Sequence, residues 1–155
     1  MIFLTVGTQL PFPRLTKIVD SLAKELDLNV KAQIGDCDYK PNFIPFQEFF
    51  PPDELNDYFN QSDIIISHAG MGTIINCLRL KKTIILFPRM AKYGEHRNDH
   101  QLDTVSSFEG VKGLYIATNE EELRYLLQNI DNLEKPLGLE TPERDQLVEH
   151  LLSLI

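Results

Sequence analysis

The chain has 155 residues, 43% of them hydrophobic and 25% charged, and 15 Lys and Arg against 23 Asp and Glu leave a formal net charge of −8. That length suits one domain with a sizeable core, and the acidic balance argues against a nucleic-acid partner or a broad basic face for anionic lipid. An anionic small ligand stays open, because a local pocket can hold it with backbone amides.

Short apolar runs alternate with helical patterns along the chain. "IFLTV" (2–6) reads as a buried strand ended by Gly7, and Leu15, Ile18, Val19, Leu22, Ala23 and Leu26 form the apolar stripe of an amphipathic helix. "NVKAQI" (29–34) is a second strand; "NFIPFQEF" (42–49) is a third, which Pro45 pushes to a sheet edge. "PDELNDYF" (52–59) opens with Pro and two acids, as a helix N-terminus does. "DIIIS" (63–67) and "TIILF" (83–87) are fully apolar strands flanking a helix, "TIINCLRL" (73–80). After the polar loop "PRMAKYGEHRN" (88–98) come a helix over about 99–108 and a last strand, "GLYIA" (113–117). Thr118 and Glu121 have capping-box spacing before a helix bearing Leu123, Leu126 and Leu127.

Residues 131–140 read as a linker and 142–155 as a C-terminal amphipathic helix, which leaves residues 1–130 as the domain proper. The alternation predicts an α/β fold, a Rossmann-like doubly wound parallel sheet with ligands beyond the carboxyl ends of its strands. Cys37 and Cys77 have neither a CxxC nor a metal spacing and read as free thiols of a cytoplasmic protein, with Cys77 on a buried helix face. The N-terminus lacks the basic start of a signal peptide, and no stretch approaches the ~20 apolar residues of a membrane helix.

The junction "SHAGMGT" (67–73) carries the main chemical signal. Gly70 and Gly72 permit close approach and positive φ, and the amides opening the helix at 73 lack intrahelical acceptors, which makes a phosphate seat. Neither a Walker A loop nor GxGxxG nor a GxSxG elbow is present. The bland alternative is a strand-to-helix turn whose glycines serve packing. His68, at the strand end, is the candidate catalytic residue, as a base or, more simply, as a ligand contact. In "GEHRNDHQ" (94–101), His96 and His100 stand at i, i+4, but the zinc HExxH pattern fails at Arg97. Asn98, Asp99, His100 and Gln101 suit hydrogen bonding to a polyhydroxylated ligand, and a solvated loop with a helix cap is the alternative. No metal and no cofactor is expected.

Taken in order, "TVGT…FPRL…VD", "QIG…DY.P", "SDIIISHAGMGTI..CLRL.K" and "PR…GEHRNDHQL" resemble the glycosyltransferase family 28 C-terminal domain over about residues 1–130. More narrowly they resemble the small soluble subunits of two-component glycosyltransferases in dolichol-linked, capsule and exopolysaccharide synthesis. The resemblance implies the donor-binding, C-terminal half of a GT-B enzyme, with a UDP-sugar donor and a polyprenyl-diphosphate-linked acceptor. A membrane-anchored subunit would supply the acceptor half and bring this chain to the cytoplasmic face. On the matching positions it implies that Gly70, Met71, Gly72 and Thr73 meet the diphosphate, with His68 beside the donor. His100 and Gln101 would contact the sugar, next to Asn98 and Asp99. Gly7 and Thr8 would face the inter-domain cleft, and the loop at Phe49–Pro52 would lie along the uracil. Arg89 or Arg97 would help neutralise the leaving diphosphate. One position departs from the pattern: Asn76 stands where many relatives carry an acid for the ribose, so the ribose is held more weakly or an acid comes from elsewhere. The rivals are a non-catalytic binding or regulatory subunit and a stand-alone hydrolase or epimerase. The tail helix and an apolar cleft could support self-association.

Overall fold

A computed structural model describes residues 1–137 and Glu149. The expected C-terminal helix over 142–155 lies outside the described residues apart from Glu149, which is helical and exposed. In chain order the elements are β1 (Ile2–Thr5), α1 (Pro13–Leu26), β2 (Val30–Gln33), β3 (Phe46–Gln47), α2 (Pro52–Gln61), β4 (Ile64–His68), α3 (Met71–Arg79), β5 (Thr83–Phe87), α4 (His100–Ser106), β6 (Leu114–Ile116) and α5 (Glu120–Gln128). One parallel sheet runs β3-β2-β1-β4-β5-β6, so the chain winds outward from β1 one way and from β4 the other.

The apolar runs work because a parallel strand buries both faces. Ile64 and Ile66 of β4 and Ile85 and Phe87 of β5 join Leu15, Val19, Leu22, Leu123 and Leu127 of α1 and α5 on one side. Ile65, Ile84 and Leu86 face the opposite way, onto Ile74, Cys77 and Leu78 of α3 and onto Val105 and Phe108. Full burial of each such aliphatic side chain contributes about 2 kcal/mol. Both cysteines are free and buried.

The third strand is shorter than its composition predicts, and Asp20 explains why. This buried α1 carboxylate accepts hydrogen bonds from the amides of Asn42, Phe43 and Ile44 and from the Tyr39 hydroxyl, at 2.8–3.0 Å. Those amides are taken from any ladder, and Pro45 has none to offer. Two residues are left to pair at the sheet edge. The cap of α5 also moves by one position from the expected Thr118–Glu121 box. Asn119 is the N-cap and accepts from the Glu122 amide, while Glu122 accepts from the Thr118 amide and hydroxyl.

Of residues 131–140, read as a linker from their composition, Asp131 and Asn132 finish a 3-10 turn (Ile130–Asn132), and residues 133–136 then fasten onto the sheet. Leu133 packs on the core, the Thr83 hydroxyl donates to the Glu134 carbonyl at 2.8 Å, and the Glu134 amide donates to the Tyr115 hydroxyl at 2.7 Å. Pro136 lies against Gly113, whose φ is +85°. This strap crosses the amino-terminal ends of β5 and β6.

Candidate functional site

The order reverses between β1 and β4, and the loops leaving these two neighbours diverge to open a crevice at their carboxyl ends. A cavity of about 360 Å³ lies there. Gly7, Thr8, Gln9 and Leu10 line it from the loop after β1, and His68, Gly70, Gly72 and Thr73 from the junction of β4 with α3. Arg89, His96 and Gln101 close it from the β5 side. A larger groove of about 560 Å³ shares Leu10 with it, but its Arg14 and Glu95 are committed to each other.

The helix opens two residues earlier than its apolar pattern predicts, at Met71, with Gly70 as N-cap at φ −92°. Gly70 and Gly72 therefore do not use the positive φ expected of them. Gly70 is required for close approach: a Cβ there would collide with the His68 ring, 2.7 Å from Nε2. Gly7 does have a positive φ, +81°, and a Cβ on it would stand 2.8 Å from the same nitrogen. Two backbones thus press on one imidazole, which neither could do with a side chain. Gly72 has nothing within 4 Å of its Cβ position, so it leaves open space on its side of the helix start. The first intrahelical bond of α3 is Ile74 to Gly70, which leaves the amides of Met71, Gly72 and Thr73 at the positive end of the helix dipole.

His68 meets Gln101 on its other side. The Gln101 Oε1 accepts from the Ala69 amide at 3.2 Å and the Arg89 amide at 2.9 Å, and its Nε2 lies 3.3 Å from His68 Nδ1. Gln101 is buried and joins the ends of β4 and β5 instead of standing free for a sugar. Burial, then the positive charge of Arg89 and then His96 push the His68 imidazole down to about 4. The ring is neutral at physiological pH.

Arg89 lines the cavity but is not free to neutralise a diphosphate through its terminal nitrogens. They donate to the carbonyls of Pro11 (2.7 Å), Val6 (2.9 Å) and Leu10 (2.7 Å), and the guanidinium stacks on Phe12. It holds the loop after β1 against the end of β5. Arg14 does the same for the polar loop. Its fork meets Glu95 at 2.8 and 2.9 Å, Glu95 accepts from the Met90 amide at 3.0 Å, and the guanidinium packs on Phe87 and Tyr93.

The rest of that loop caps and folds itself. Asn98 Oδ1 accepts from the His100 amide and Asp99 Oδ1 from the Ala91 amide, both at 2.9 Å. Asn98, Asp99 and His100 are exposed and do not line the cavity. His96 and His100 share no helix face, because α4 begins at His100. Met71 and Asn76 lie on α3 without lining the cavity, and Arg97 is exposed. The Phe49–Pro52 loop follows the edge strand β3 and turns back under the sheet, with the Phe50 amide donating to Gln33 Oε1 of β2 at 2.9 Å, and it does not line the cavity. There Phe50 is buried against Phe3 and Tyr58.

His96 and Leu10 also line the cavity, a placement that the sequence pattern does not predict. His96 follows Glu95, so the Arg14 ion pair places it; its Nδ1 is buried without a hydrogen-bond partner among the described residues. A polar residue next to a buried carboxylate in a glycine-led loop was the signal available.

A parallel sheet wound in this order, with a glycine-opened helix start facing a cavity at its reversal point, defines a doubly wound, Rossmann-like α/β domain. The chain belongs to the glycosyltransferase family 28 C-terminal domain, whose family model matches residues 1–149. It is 32% identical over 106 residues to the UDP-N-acetylglucosamine transferase subunit ALG13 of Candida albicans, covering 64% of this chain and 34% of that protein. It is 31% identical over 135 residues to the UDP-N-acetylglucosamine–N-acetylmuramyl-(pentapeptide) pyrophosphoryl-undecaprenol N-acetylglucosamine transferase of Clostridium perfringens, covering 84% and 37%. The chain thus spans about a third of the length of these relatives. The solution structure of ALG13 superposes with a TM-score of 0.64 at 18% identity, over 97% of this chain and 94% of that one. The crystal structure of Acinetobacter baumannii MurG gives 0.63 at 20% identity, over 84% and 41%. At those identities the likeness establishes the fold, which is the expected one.

Proposed function

We propose that this chain is the donor-binding half of a two-component glycosyltransferase, moving a sugar from a UDP-sugar to a polyprenyl-diphosphate-linked acceptor in capsule or exopolysaccharide synthesis. The observation that carries this reading is the cavity where Gly7, Gly70 and Gly72 bring bare backbone and the open amides of α3 to one point. An acidic chain can hold a diphosphate there without net positive charge, by oriented amides in a partly dry site. His68 and Thr73 complete the polar lining, while Arg89 and Gln101 fix its walls. Both curated relatives named above are N-acetylglucosamine transferases by name, which makes UDP-N-acetylglucosamine the first donor to try. The acceptor half, and the base that takes the acceptor proton, come from a membrane-anchored partner that recruits this chain to the cytoplasmic membrane face. Among the described residues no helix is long and apolar enough to cross a membrane.

Calorimetry with UDP, then radiolabelled transfer with and without the co-purified partner, tests this. UDP binding by the chain and transfer only with the partner are the expected results. Robust transfer to a lipid-linked acceptor by the chain alone would sink the split-enzyme reading. UDP binding with no transfer in the complex would favour a non-catalytic binding subunit, for which Asn76 in place of an acid is the specific observation.

A further inference from the structure

The Gln101 side chain bridges three groups, and two of them leave it no choice of orientation. The backbone amides of Ala69 and Arg89 can only donate, so the Gln101 atom between them is its oxygen. The amide nitrogen, which can only donate, is then the atom facing His68 Nδ1 at 3.3 Å. A nitrogen that accepts there must carry its lone pair, and in a neutral imidazole the proton is then on Nε2. Nε2 and the adjacent Cε1 are the ring atoms closest to the Cβ positions of Gly7 and Gly70, His68 lines the cavity, and Nε2 has no hydrogen-bond partner among the described residues.

We infer that Gln101 is a positioning residue that locks His68 as the Nε2–H tautomer, so that His68 presents a hydrogen-bond donor, not a base, to an acceptor oxygen in the cavity. From sequence alone His68 can be a base and Gln101 a sugar contact; the geometry removes the Nε2 lone pair the first would use and spends the amide the second would use. The lock also ties ring to sheet. Its oxygen bridges the amides of Ala69 and Arg89, just past the ends of β4 and β5, so the proton position is set by backbone atoms of two neighbouring strand ends. The charged and titratable groups acting on the ring are Arg89 from the end of β5 and His96 from the polar loop. Both disfavour a second proton. That the oxygen receiving the Nε2–H bond belongs to a sugar nucleotide rests on the proposed function; the tautomer does not.

Long-range proton–nitrogen correlation spectra of the isotope-labelled full chain near neutral pH test the lock without any ligand, so its failure is separate from failure of the donor-binding reading. The His68 signals are those that vanish in His68→Gln. The expected ring has a pyrrole-type Nε2 and a pyridine-type Nδ1. Gln101→Glu keeps an oxygen for the Ala69 and Arg89 amides and replaces the donor with a carboxylate oxygen. It should move the proton onto Nδ1 and raise the His68 titration midpoint by about one to three pH units. A pyrrole-type Nδ1 in the wild-type chain, or an unchanged tautomer and midpoint in a folded Gln101→Glu, would overturn the inference. Should that variant not fold, the wild-type spectrum decides alone.

Discussion

Part-buried His68 and buried Asp20 are titratable groups that make the fold sensitive to acid in two successive windows. The folded His68 pKa is pushed down to about 4 from an ordinary 6.5, so between those values the unfolded chain binds the extra proton. Stability therefore falls as pH drops from 6.5 toward 4, by a few kcal/mol in all. His68→Gln should flatten that part of the curve in denaturant titrations run at stepped pH, and a slope that survives the substitution would assign it elsewhere. At Asp20, burial raises the carboxyl, and bonds from the Ile44 and Asn42 amides, the Tyr39 hydroxyl and the Phe43 amide together outweigh it, leaving it below 3.8. Its contribution is present above the ordinary carboxylate value and is lost as pH falls through the lowered one. Asp20→Asn should cost about 2 kcal/mol near neutral pH, because three amides, that of Ile44 buried, and a hydroxyl lose a charged acceptor. Equal urea midpoints for the variant and wild type would contradict this.

At the scale of elements, the two glycines of the β4–α3 junction separate packing from binding. Gly70→Ala drives a methyl into the His68 ring, so both stability and UDP affinity should drop, the former by about 1–3 kcal/mol. Gly72→Ala meets no atom and sits inside the helix; it should leave stability unchanged or raise it by up to about 1 kcal/mol. Its methyl would nevertheless stand where the proposed donor's diphosphate would approach the amides, and UDP affinity should fall about tenfold. Calorimetry beside thermal melts reads both, and unchanged UDP affinity in Gly72→Ala would move the diphosphate away from this helix start. The polar loop hangs on Arg14 and Glu95, so Glu95→Gln should speed amide exchange across residues 88–99 while α1 stays protected. The sequence displayed these elements unevenly. Continuous apolar runs made β1, β4 and β5 plain, because strands buried on both faces need little else. What it hid was the use of single polar residues. Asp20, Arg14, Glu95 and Arg89 all fall within the motifs that carry the family resemblance, yet each holds a loop through partners far along the chain. Spacing cannot reveal which of two polar groups in a loop points inward.

At the scale of the molecule, the sheet separates two ends with different tasks. The cavity lies beyond the carboxyl ends of the strands, and the 133–136 strap fastens the amino-terminal ends of β5 and β6. Rigidity at one end and recognition at the other should therefore respond to different substitutions. Gly113 is the sharpest probe of the strap. Its φ of +85° suits glycine, and a Cβ there would press on the Pro136 ring at 2.5 Å from Cδ. Gly113→Ala combines left-handed strain of about 1 kcal/mol with displacement of Pro136 and loosening of Leu133 and the two strap hydrogen bonds. A total near 3 kcal/mol, or roughly 10 °C in Tm, is expected. UDP affinity, measured well below the new Tm, should stay within about twofold of wild type, because the altered contacts lie a full strand length from the crevice. The paired comparison with Gly70→Ala makes the test decisive, since that variant should lose affinity as well as stability. Loss of UDP binding in a folded Gly113→Ala would mean that the strap and the crevice are coupled through the sheet, and that the two ends do not act independently.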